Sequence, residues 1–500
     1  MLRHSPRMLS TPQGYHDVVV SGGGLVGAAA MASLQQLRRH LHESSAGMAQ
    51  TPETAGGPLK SLLMVDASKR PTFNAENMMH KLRTVSVTPV SSKILDNLGA
   101  WGKLKTKHSY YRMAVRHEQM NGPHLSQAER SQSFFMSSIL GAKATAEPAL
   151  EFTDLRKPVG FMCYNTELNS AMVDVVAETV ETDPLAAGDK LLFESKLDSI
   201  KLPPSSVIGG PLGEAMVATA GAGAAAEAAK ASLQYSLLLG CEGRGSPLRD
   251  VMSTASVQHD YAQVAFVSDV RIEKIDDGNV CAYQNFFRDG MIIAFLPMSE
   301  DSANIVFSTH PDHALKMMQM TQAELVEELN NRLHRFAPHD IPKILEVPEE
   351  TVDGRTRRAN GKFPLKLNFV TSPYTSRALL VGDAAHGIHP FAGQGLNLGI
   401  YDVCALADVM EKAIRAGQDI GSPAAVGQPY GGEMAAHTGP MIASMEAIKH
   451  LMHGLPGLSC LGMKALNELP VLSTFGKDAI FQVSSGATFA ARHKGCFLLE

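Results

Sequence analysis

The order of apolar and polar positions near the start of the chain predicts a strand, a tight turn and a helix. Residues 17–20 form a short β-branched apolar run, and the glycine-rich residues 21–27 follow it directly. A helix-compatible stretch then continues to about Leu37. A second apolar run at residues 61–65 ends at Asp66. This succession is typical of a βαβ unit with a parallel sheet.

The second half of the chain shows a different pattern. Residues 260–272 and 291–309 contain β-branched and apolar runs that predict an antiparallel sheet. A last apolar strand at residues 378–381 precedes a helix with one apolar face that begins near Gly395. We expect this last strand and helix to lie beside the βαβ unit of the N-terminal part.

Three segments interrupt these patterns and predict surface insertions. They lie at residues 42–58, 120–148 and 203–231, where Gly, Ser, Ala and polar residues break any regular period. The third is dominated by Ala and Gly, which offer little side-chain surface for a core.

Composition restricts the class of protein. A chain of 500 residues with 44% hydrophobic and 19% charged residues is long enough for a substantial core and two interleaved domains. The formal charge of −5 and the scattered basic residues argue against nucleic-acid binding. The six cysteines lack the spacing of a zinc site or a disulfide framework. No run of about 18 apolar residues predicts a membrane-spanning helix, and peripheral membrane contact stays open.

Residues 1–16 have a composition that suits the tip of a mitochondrial presequence. They include two arginines and three Ser or Thr residues, and no acidic residue occurs before Asp17. A frayed N-terminus would have the same composition. Both interpretations stay open at this point.

The glycine-rich turn after the first predicted strand has the spacing of a dinucleotide-binding fingerprint. Gly22 permits the tight turn, Gly24 lets a pyrophosphate approach the backbone, and Gly27 lets helix and strand pack closely. The phosphates would then lie at the positive helix end that begins with Leu25 and Val26. A plain glycine loop is the alternative, but the flanking strand and helix favour dinucleotide binding.

Asp66, at the end of the second predicted strand, is a candidate ligand of an adenosine ribose. An acid at this place in a dinucleotide-binding fold accepts hydrogen bonds from the ribose hydroxyls. It lies later than the usual spacing of about 20 residues, which the insertion at residues 42–58 explains. A helix N-cap or a solvated turn acid is the alternative.

A dense run of Gly, Asp and Asn after the last predicted strand is the strongest indication of a cofactor-binding site in the sequence. Gly382 and Asp383 follow the strand, where the carboxylate can hydrogen-bond ribityl hydroxyls. The next helix begins near Gly395, and Gly393 and Gln394 just before it are further candidate cofactor-binding residues. The backbone N–H groups of Gly395, Leu396 and Asn397 would point at a flavin pyrimidine and stabilise the negative charge of reduced flavin. The early and late segments together predict one bound FAD.

Two histidines of the same run, His386 and His389, invite comparison with a metal site. No carboxylate or cysteine set of the usual kind accompanies them. We therefore expect no bound metal and a role in shaping the loop.

At these residues the chain resembles the FAD monooxygenases of the 4-hydroxybenzoate hydroxylase type and, among them, the mitochondrial ring hydroxylases of ubiquinone biosynthesis. Three motifs occur in the order that is typical of the family: the turn at Gly22, the segment 241–249 and the segment that begins at Gly382. Supporting runs lie at residues 83–101, 261–265, 296–299 and 393–399. The resemblance covers most of residues 15–480.

The resemblance implies roles for three more residues. Arg83 would lie over the flavin, with a surface arginine as the alternative, and Pro390 would flank the isoalloxazine ring. Glu242 stands where the family usually has Asp, which leaves open how this segment supports FAD and any nicotinamide donor. The family's Arg before the Phe near Phe286 and Phe287 is also missing.

The resemblance also implies a reaction. Reduced FAD would react with molecular oxygen to form a flavin hydroperoxide, whose distal oxygen passes to the ring of a polyprenylated hydroxybenzoate-type intermediate of ubiquinone biosynthesis. Electrons would come from a ferredoxin and its reductase, or from NAD(P)H. No side chain is assigned as acid or base, because the flavin carries the chemistry. A peripheral position on the matrix side of the inner mitochondrial membrane, within a ubiquinone-biosynthesis complex, is implied as well.

The expected fold class is α/β. A Rossmann-like FAD-binding domain with a doubly wound sheet would be interleaved with a smaller substrate domain on a mixed or antiparallel sheet, followed by C-terminal helices. The expected parts are a possible targeting segment at 1–16, the FAD-binding domain at 17–110, 161–255 and 371–425, the substrate domain at 111–160 and 256–370, and the C-terminal helical region at 426–500.

An apolar stripe at helical spacing occurs in residues 440–455. Its members are Met441, Ile442, Met445, Ile448, Leu451 and Met452. Core packing is the favoured interpretation of such a stripe. Contact with a membrane or a prenyl tail is the alternative.

Two other functions stay open from the sequence. The same FAD domain could serve a flavin-dependent reductase or epoxidase of an isoprenoid. Alternatively, the chain could be a non-catalytic flavin-fold scaffold of a biosynthetic complex, an idea prompted by Glu242 and the missing Arg.

Overall fold

A computed structural model describes residues 14–45, 59–118, 149–154, 156–204, 211–219, 229–275, 280–335, 340–352, 355–388, 393–454 and 487–492. The helices are α1 (Leu25–Ser45), α2 (Met78–Lys81), α3 (Pro89–Asn97), α4 (Asn165–Thr182), α5 (Pro247–Met252), α6 (Pro311–Gln319), α7 (Gln322–His334), α8 (Gln394–Arg415), α9 (Gln428–Gly454) and α10 (Ala487–Arg492). The strands up to residue 240 are β1 (Gly14–Ser21), β2 (Leu62–Val65), β3 (Thr84–Val87), β4 (Lys107–Tyr110), β5 (Arg112–His117), β6 (Ala149–Thr153), β7 (Gly160–Tyr164), β8 (Lys190–Leu192), β9 (Ser195–Lys201), β10 (Gly213–Thr219) and β11 (Ala229–Gly240). The later strands are β12 (Ser256–Ile272), β13 (Cys281–Phe286), β14 (Ile292–Pro297), β15 (Ser302–Thr309), β16 (Ile344–Glu346), β17 (Glu349–Val352), β18 (Arg355–Arg358), β19 (Asn360–Val370), β20 (Tyr374–Thr375), β21 (Ala378–Leu380) and β22 (His386–Gly387).

The first sheet is built around the N-terminal strand. Its main path is β20-β21-β11-β1-β2-β8, and β1 pairs in parallel with both β11 and β2. Val18, Val19 and Val20 in β1 are fully buried, as expected of a parallel strand covered on both faces. Helix α1 packs against α4 and α8. The expected Rossmann-like layer is therefore present, and β21 joins it from far along the chain.

The second sheet is mostly antiparallel and has nine strands. Its main path is β22-β19-β12-β15-β14-β13-β5-β6, and only β13 and β5 pair in parallel on that path. Strands β12, β14 and β15 coincide with the runs from which an antiparallel sheet was expected. A separate three-stranded sheet has the order β3-β7-β4. The α/β fold class with a second, mixed sheet is confirmed.

Two local expectations are wrong. Helix α1, which was expected to end near Leu37, continues to Ser45. Arg38, the next residue after the expected end, is buried within the helix and forms a two-pronged ion pair with Asp189. The Ala/Gly-rich segment 203–231 is not merely a surface insertion, since β10 lies inside it and pairs with β9 and β11. Small residues at alternate positions of β10 suffice to bury one face of the strand, with Ala215 and Val217 nearly inaccessible.

The C-terminal stripe lies on α9. Met441 and Met445 are buried in the main core. Ile448 packs against a small cluster of Leu150, Phe286 and Ile292. Core packing is therefore confirmed for the part of the stripe whose side chains are described. Among the described residues, no helix combines the length and the apolarity that a bilayer span requires.

Candidate cofactor and substrate site

The glycine turn between β1 and α1 has room for a ligand on one side only. A Cβ atom on Gly27 would lie 1.9 Å from the carbonyl oxygen of Gly22, and one on Gly22 would lie 2.6 Å from the carbonyl oxygen of Cys241. By contrast, no protein atom lies within 4 Å of the position of a Cβ on Gly24. Gly22 and Gly27 thus serve close packing, and Gly24 faces open space at the start of a helix, where a pyrophosphate is best stabilised.

Asp66 lies beside this turn. It directly follows β2, and its Oδ2 accepts a 2.6 Å hydrogen bond from the Gly23 N–H while Oδ1 accepts one from the Ser68 N–H at 2.7 Å. The carboxylate therefore braces the turn, which includes the turn-acid role considered as the alternative. Each oxygen keeps a lone pair that could accept a hydrogen bond from a ribose hydroxyl.

The late aspartate loop packs directly on the first turn of α1. A Cβ on Gly382 would lie 3.2 Å from Val26 Cγ1, and one on Gly399 would lie 2.7 Å from Val26 Cγ2. Leu25 beside Val26 is buried in the same core. The two glycine-rich segments, separated by more than 350 residues of sequence, meet as the FAD prediction requires.

The segment 241–249 joins the same place. The Arg244 side chain donates to the carbonyl oxygen of Ile388 at 2.8 Å, and its Nε lies 3.3 Å from Asp383 Oδ2. Arg249 donates to the carbonyl oxygen of Ala384 at 3.2 Å. The Gly22 turn, the segment 241–249 and the segment that begins at Gly382 therefore lie at one site. Arg244 and Arg249, which the sequence reasoning did not single out, connect the last two of these segments.

The side chain of Glu242 forms a hydrogen bond within its own segment, residues 241–249. Its Oε2 accepts a 2.7 Å hydrogen bond from the hydroxyl of Ser246, the residue that caps α5. Burial raises the pKa of the Glu242 carboxyl, and hydrogen bonds and Arg249 only partly offset that effect. The longer side chain thus has a local structural use, and its contact with a cofactor stays a prediction.

Asp383 and the start of α8 face each other. A Cβ on Gly395 would lie 3.4 Å from Asp383 Oδ1, which leaves the carboxylate beside the open backbone N–H groups of the first helical turn. Gly393 caps this helix in the left-handed conformation, with φ 65°, and a Cβ there would lie 3.1 Å from Ser86 Cβ. Gln394 is buried and Leu396 is partly buried at the same helix end.

The side chain of Asn397 connects α8 to the end of β3 by hydrogen bonds. It is fully buried, accepts a hydrogen bond from the Thr88 N–H at 2.9 Å, and donates one to the Ser86 carbonyl oxygen at 2.8 Å. These bonds fix the N-terminal turn of α8 against β3. The Asn397 side chain is therefore engaged within the protein, and the contact of its backbone N–H with a flavin stays a prediction.

The resemblance places Arg83 and Pro390 at the flavin, and only Arg83 lies among the described residues. Arg83 is exposed, and its guanidinium lies 5.6 Å from the ring centroid of Phe363. That position, immediately before β3, corresponds to a surface arginine, and its contact with a flavin stays a prediction. Pro390 and His389 lie outside the described residues.

The residues present fit FAD. The open side of Gly24, the carboxylates of Asp66 and Asp383, and the N-terminal turn of α8 lie around one junction of α1, α8 and the segment 241–249. They offer hydrogen-bond acceptors for sugar or ribityl hydroxyls and two helix N-termini for anionic groups. Among the described residues, no group of three His, Cys, Asp or Glu side chains is arranged to bind a metal ion.

Comparisons with known proteins agree with this geometry. A family model described as an FAD binding domain matches residues 218–420. The chain is 27% identical over 499 residues to the mitochondrial ubiquinone biosynthesis monooxygenase COQ6 of Xenopus tropicalis, covering 93% of this chain and 94% of that protein. The human protein of that name is 26% identical over 494 residues, covering 94% and 90% respectively. The chain is an FAD-dependent monooxygenase.

A solved structure supports the fold independently. The crystal structure of p-nitrophenol 4-monooxygenase PnpA from Pseudomonas putida superposes with a TM-score of 0.61 at 15% identity, covering 95% of this chain and 99% of that one. At this identity the likeness shows the architecture alone. The properties of the substrate site depend on the residues of this chain.

A cavity of about 110 Å³ lies next to the start of α8. Apart from Gly393, its lining residues belong to the three-stranded and the nine-stranded sheet: Thr84, Ser86, Tyr110, Met113, Met162, Ala282, Tyr283, Gln284, Ala294, Leu296, Val306 and Gly393. Most of the lining is apolar, which suits an aromatic ring. Gly393 lines the cavity and also caps α8, so the cavity adjoins the helix end that is expected to contact the flavin.

Two of the residues that line this cavity, Tyr110 and Ser86, form a polar pair. The hydroxyl oxygens of Tyr110 and Ser86 are 2.9 Å apart. Burial raises the pKa of Tyr110, so its phenol stays protonated at neutral pH and can donate or accept a hydrogen bond. The sequence reasoning missed this pair because its members lie on β3 and β4, which are not neighbours in the sheet and are held side by side by their common partner β7.

Proposed function

We propose that this monooxygenase hydroxylates the aromatic ring of a polyprenylated hydroxybenzoate-type intermediate of ubiquinone biosynthesis. The observation that carries the proposal is the apolar cavity at Gly393, which adjoins the FAD loop. The near full-length similarity to proteins named ubiquinone biosynthesis monooxygenases supports the choice of pathway. Bound FAD supplies the activation of oxygen and its transfer to the ring.

The residues of the site hold the cofactor and control its charge. Gly24 gives a pyrophosphate access to the N-terminus of α1, and Asp66 accepts hydrogen bonds from the ribose. Asp383 accepts hydrogen bonds from the ribityl chain. The N–H groups of Gly395, Leu396 and Asn397 stabilise negative charge on the pyrimidine of reduced flavin.

The cavity holds the substrate ring and excludes water. Its volume of about 110 Å³ is of the same order as the ~150 Å³ apolar cavity that accommodates a benzene molecule. The Tyr110–Ser86 hydroxyl pair offers a hydrogen-bond partner for a phenolic oxygen. A polyprenyl tail does not fit in such a volume and must leave the cavity along an apolar surface.

The relatives' names support a mitochondrial setting for this proposal. They are called mitochondrial, and we place this protein peripherally on the matrix side of the inner membrane, in contact with other ubiquinone-biosynthesis proteins. The electron donor is a ferredoxin with its reductase, or NAD(P)H. Anaerobic reduction of the bound flavin by each donor in turn distinguishes them, because only the true donor bleaches the flavin absorbance at a useful rate.

Product mass tests the reaction. FAD-loaded protein is incubated with a chemical or enzymatic reductant, oxygen and a short-chain prenylated hydroxybenzoate, and the product is analysed by mass spectrometry with labelled oxygen gas. We expect one labelled oxygen atom on the ring. Added hydrogen atoms would indicate a reductase, and an oxygen on the prenyl chain an epoxidase. A folded protein that binds no FAD would indicate a scaffold.

A further inference from the structure

A buried cluster of one acid and two histidines lies behind the aspartate loop. Asp402 on α8 is fully buried, and its Oδ2 lies 2.5 Å from His386 Nε2 while its Oδ1 lies 2.7 Å from His437 Nε2. His386 is also fully buried, and the His437 side chain is 4% exposed. An acid buried this deeply must be compensated by its hydrogen bonds.

The third contact of Asp402 leads to the cofactor loop. Oδ2 also accepts a 2.8 Å hydrogen bond from the backbone N–H of Gly382. Gly382 has a φ of 63°, a left-handed conformation that sets the direction of the chain at the next residue, Asp383. Asp402 therefore holds the backbone at the residue whose left-handed conformation determines where Asp383 points.

His437 connects Asp402 to the C-terminal part of the chain. It lies on α9, beyond residue 420, where the match to the FAD-binding family model ends. Its ring is packed edge-on to Phe489 of α10 at 5.2 Å, and Phe489 stacks on Tyr401 at 4.6 Å. The hydroxyl of Tyr401 is 2.6 Å from Thr88 Oγ1. The ring of His437 is thus fixed from several sides.

We propose that Asp402 and His437 are positioning residues for FAD: Asp402 fixes the Gly382 turn that presents Asp383, and His437 makes this turn depend on the C-terminal helix α9. Neither residue needs to touch the cofactor. The proposal concerns cofactor binding and stands whether or not the substrate assignment is correct.

The charges around Asp402 favour this arrangement. Burial alone would raise the pKa of Asp402, but the two histidines and their hydrogen bonds hold it well below its ordinary value. Burial lowers the pKa of His386, and the Asp402 carboxylate more than offsets that effect and raises it. The other titratable groups that act on the cluster are Asp383, Tyr430 and Cys241. Because Asp402 stays ionised throughout the neutral range, it remains an acceptor for the Gly382 N–H.

A pair of substitutions at His437 separates positioning from simple packing. The contact is made by Nε2, a position that the amide nitrogen of Gln can reach and that of Asn cannot. We expect His437→Asn to weaken FAD binding to the full-length apoprotein about tenfold, since a buried charged acceptor loses a donor. His437→Gln should stay within about twofold of the unsubstituted protein. His450→Asn, on the exposed side of the same helix, is the matched control and should have no effect.

Hydrogen exchange gives a second readout that requires no substitution. In the full-length protein without FAD, the peptide that contains Gly382 should exchange slowly because its N–H is donated to Asp402. In His437→Asn it should exchange faster, while a peptide from β12 stays unchanged. Equal FAD affinity of His437→Asn and the unsubstituted protein would overturn the proposal. So would fast exchange at Gly382 in the unsubstituted protein, which decides the matter even if the Asn variant fails to fold.

Discussion

The Cγ2 atom of Val26 lies 2.7 Å from the place that a Cβ atom would occupy on Gly399. Val26 belongs to the first turn of α1, after the early glycine turn, and Gly399 belongs to α8, after the late aspartate loop. The two helices therefore pack with no space for a side chain at this point. This contact brings the early and late segments to one cofactor.

Gly399→Ala tests that contact. The added methyl group would overlap Val26, so the two helices must separate slightly, at a cost of about 1–3 kcal/mol. We expect a lower melting temperature and FAD binding weakened by about tenfold. Both are measured by fluorescence, the second as flavin quenching during titration of the apoprotein. Gly102→Ala, where no atom lies within 4 Å of the new Cβ, is the control. A Gly399→Ala protein with unchanged FAD affinity would show that the helix spacing is unimportant.

Gly24 and Gly27 should respond differently to the same substitution. Gly24→Ala meets no protein atom, so the apoprotein should keep its melting temperature while FAD affinity falls, because the methyl group occupies the space of the pyrophosphate. Gly27→Ala would collide with the Gly22 carbonyl oxygen and should lower the yield of folded protein. Differential scanning fluorimetry and FAD titration measure the two effects. Undiminished FAD binding by Gly24→Ala would mean that the cofactor lies elsewhere.

The local backbone requirements of this site could be predicted from the sequence. The spacing of Gly22, Gly24 and Gly27 reflects steric limits within one turn, and the run after Gly382 reflects those of another. Runs of β-branched and apolar residues likewise predicted β12, β14 and β15. These features depend on neighbours in the sequence, and such neighbours form a readable pattern.

Contacts between distant residues could not be predicted in this way. The pairing of Asp402 with His437 joins α8 to α9, and nothing in the spacing of either residue indicates the other. The burial of Arg38 depends on Asp189, 151 positions later. The Ala-rich strand β10 was missed because its small side chains carry a weak apolar signal, although Ala215 and Val217 do alternate with the more exposed Glu214 and Met216.

Asp269 on β12 should make stability depend on pH. Burial raises the pKa of its carboxyl from 3.8 to about 7, and Oδ1 makes no hydrogen bond with a described residue. Between these two values the folded protein binds a proton that the unfolded chain does not, so stability decreases as the pH rises and levels off above about 7. Asp269→Asn should therefore be more stable than the parent at pH 8 by on the order of 4 kcal/mol and differ little near pH 4.

Chemical denaturation at a series of pH values measures this difference. Asp250→Asn, an exposed carboxylate on α5, serves as the control and should follow the parent at each pH. If Asp269→Asn and the parent show parallel pH profiles, then the carboxyl of Asp269 titrates normally and its burial has been misjudged.

Ala294→Phe tests whether the cavity holds the substrate ring. Ala294 lines the cavity, and a phenyl group there would take most of its volume. We expect hydroxylation of the prenylated substrate to fall by at least about tenfold, while FAD affinity stays within about twofold. Ala75→Phe, at an exposed turn, is the control for the added aromatic group. Full activity of Ala294→Phe would place the substrate outside this cavity.

The absorbance spectrum of the purified full-length protein tests the central claim most directly. The claim is that the glycine turn at Gly22 and the loop at Asp383 hold the two ends of one FAD. It predicts the spectrum of a protein-bound flavin, one per chain, which is diminished by Gly24→Ala and also by Asp383→Ala. A correctly folded chain that shows no flavin absorbance after incubation with excess FAD would contradict it.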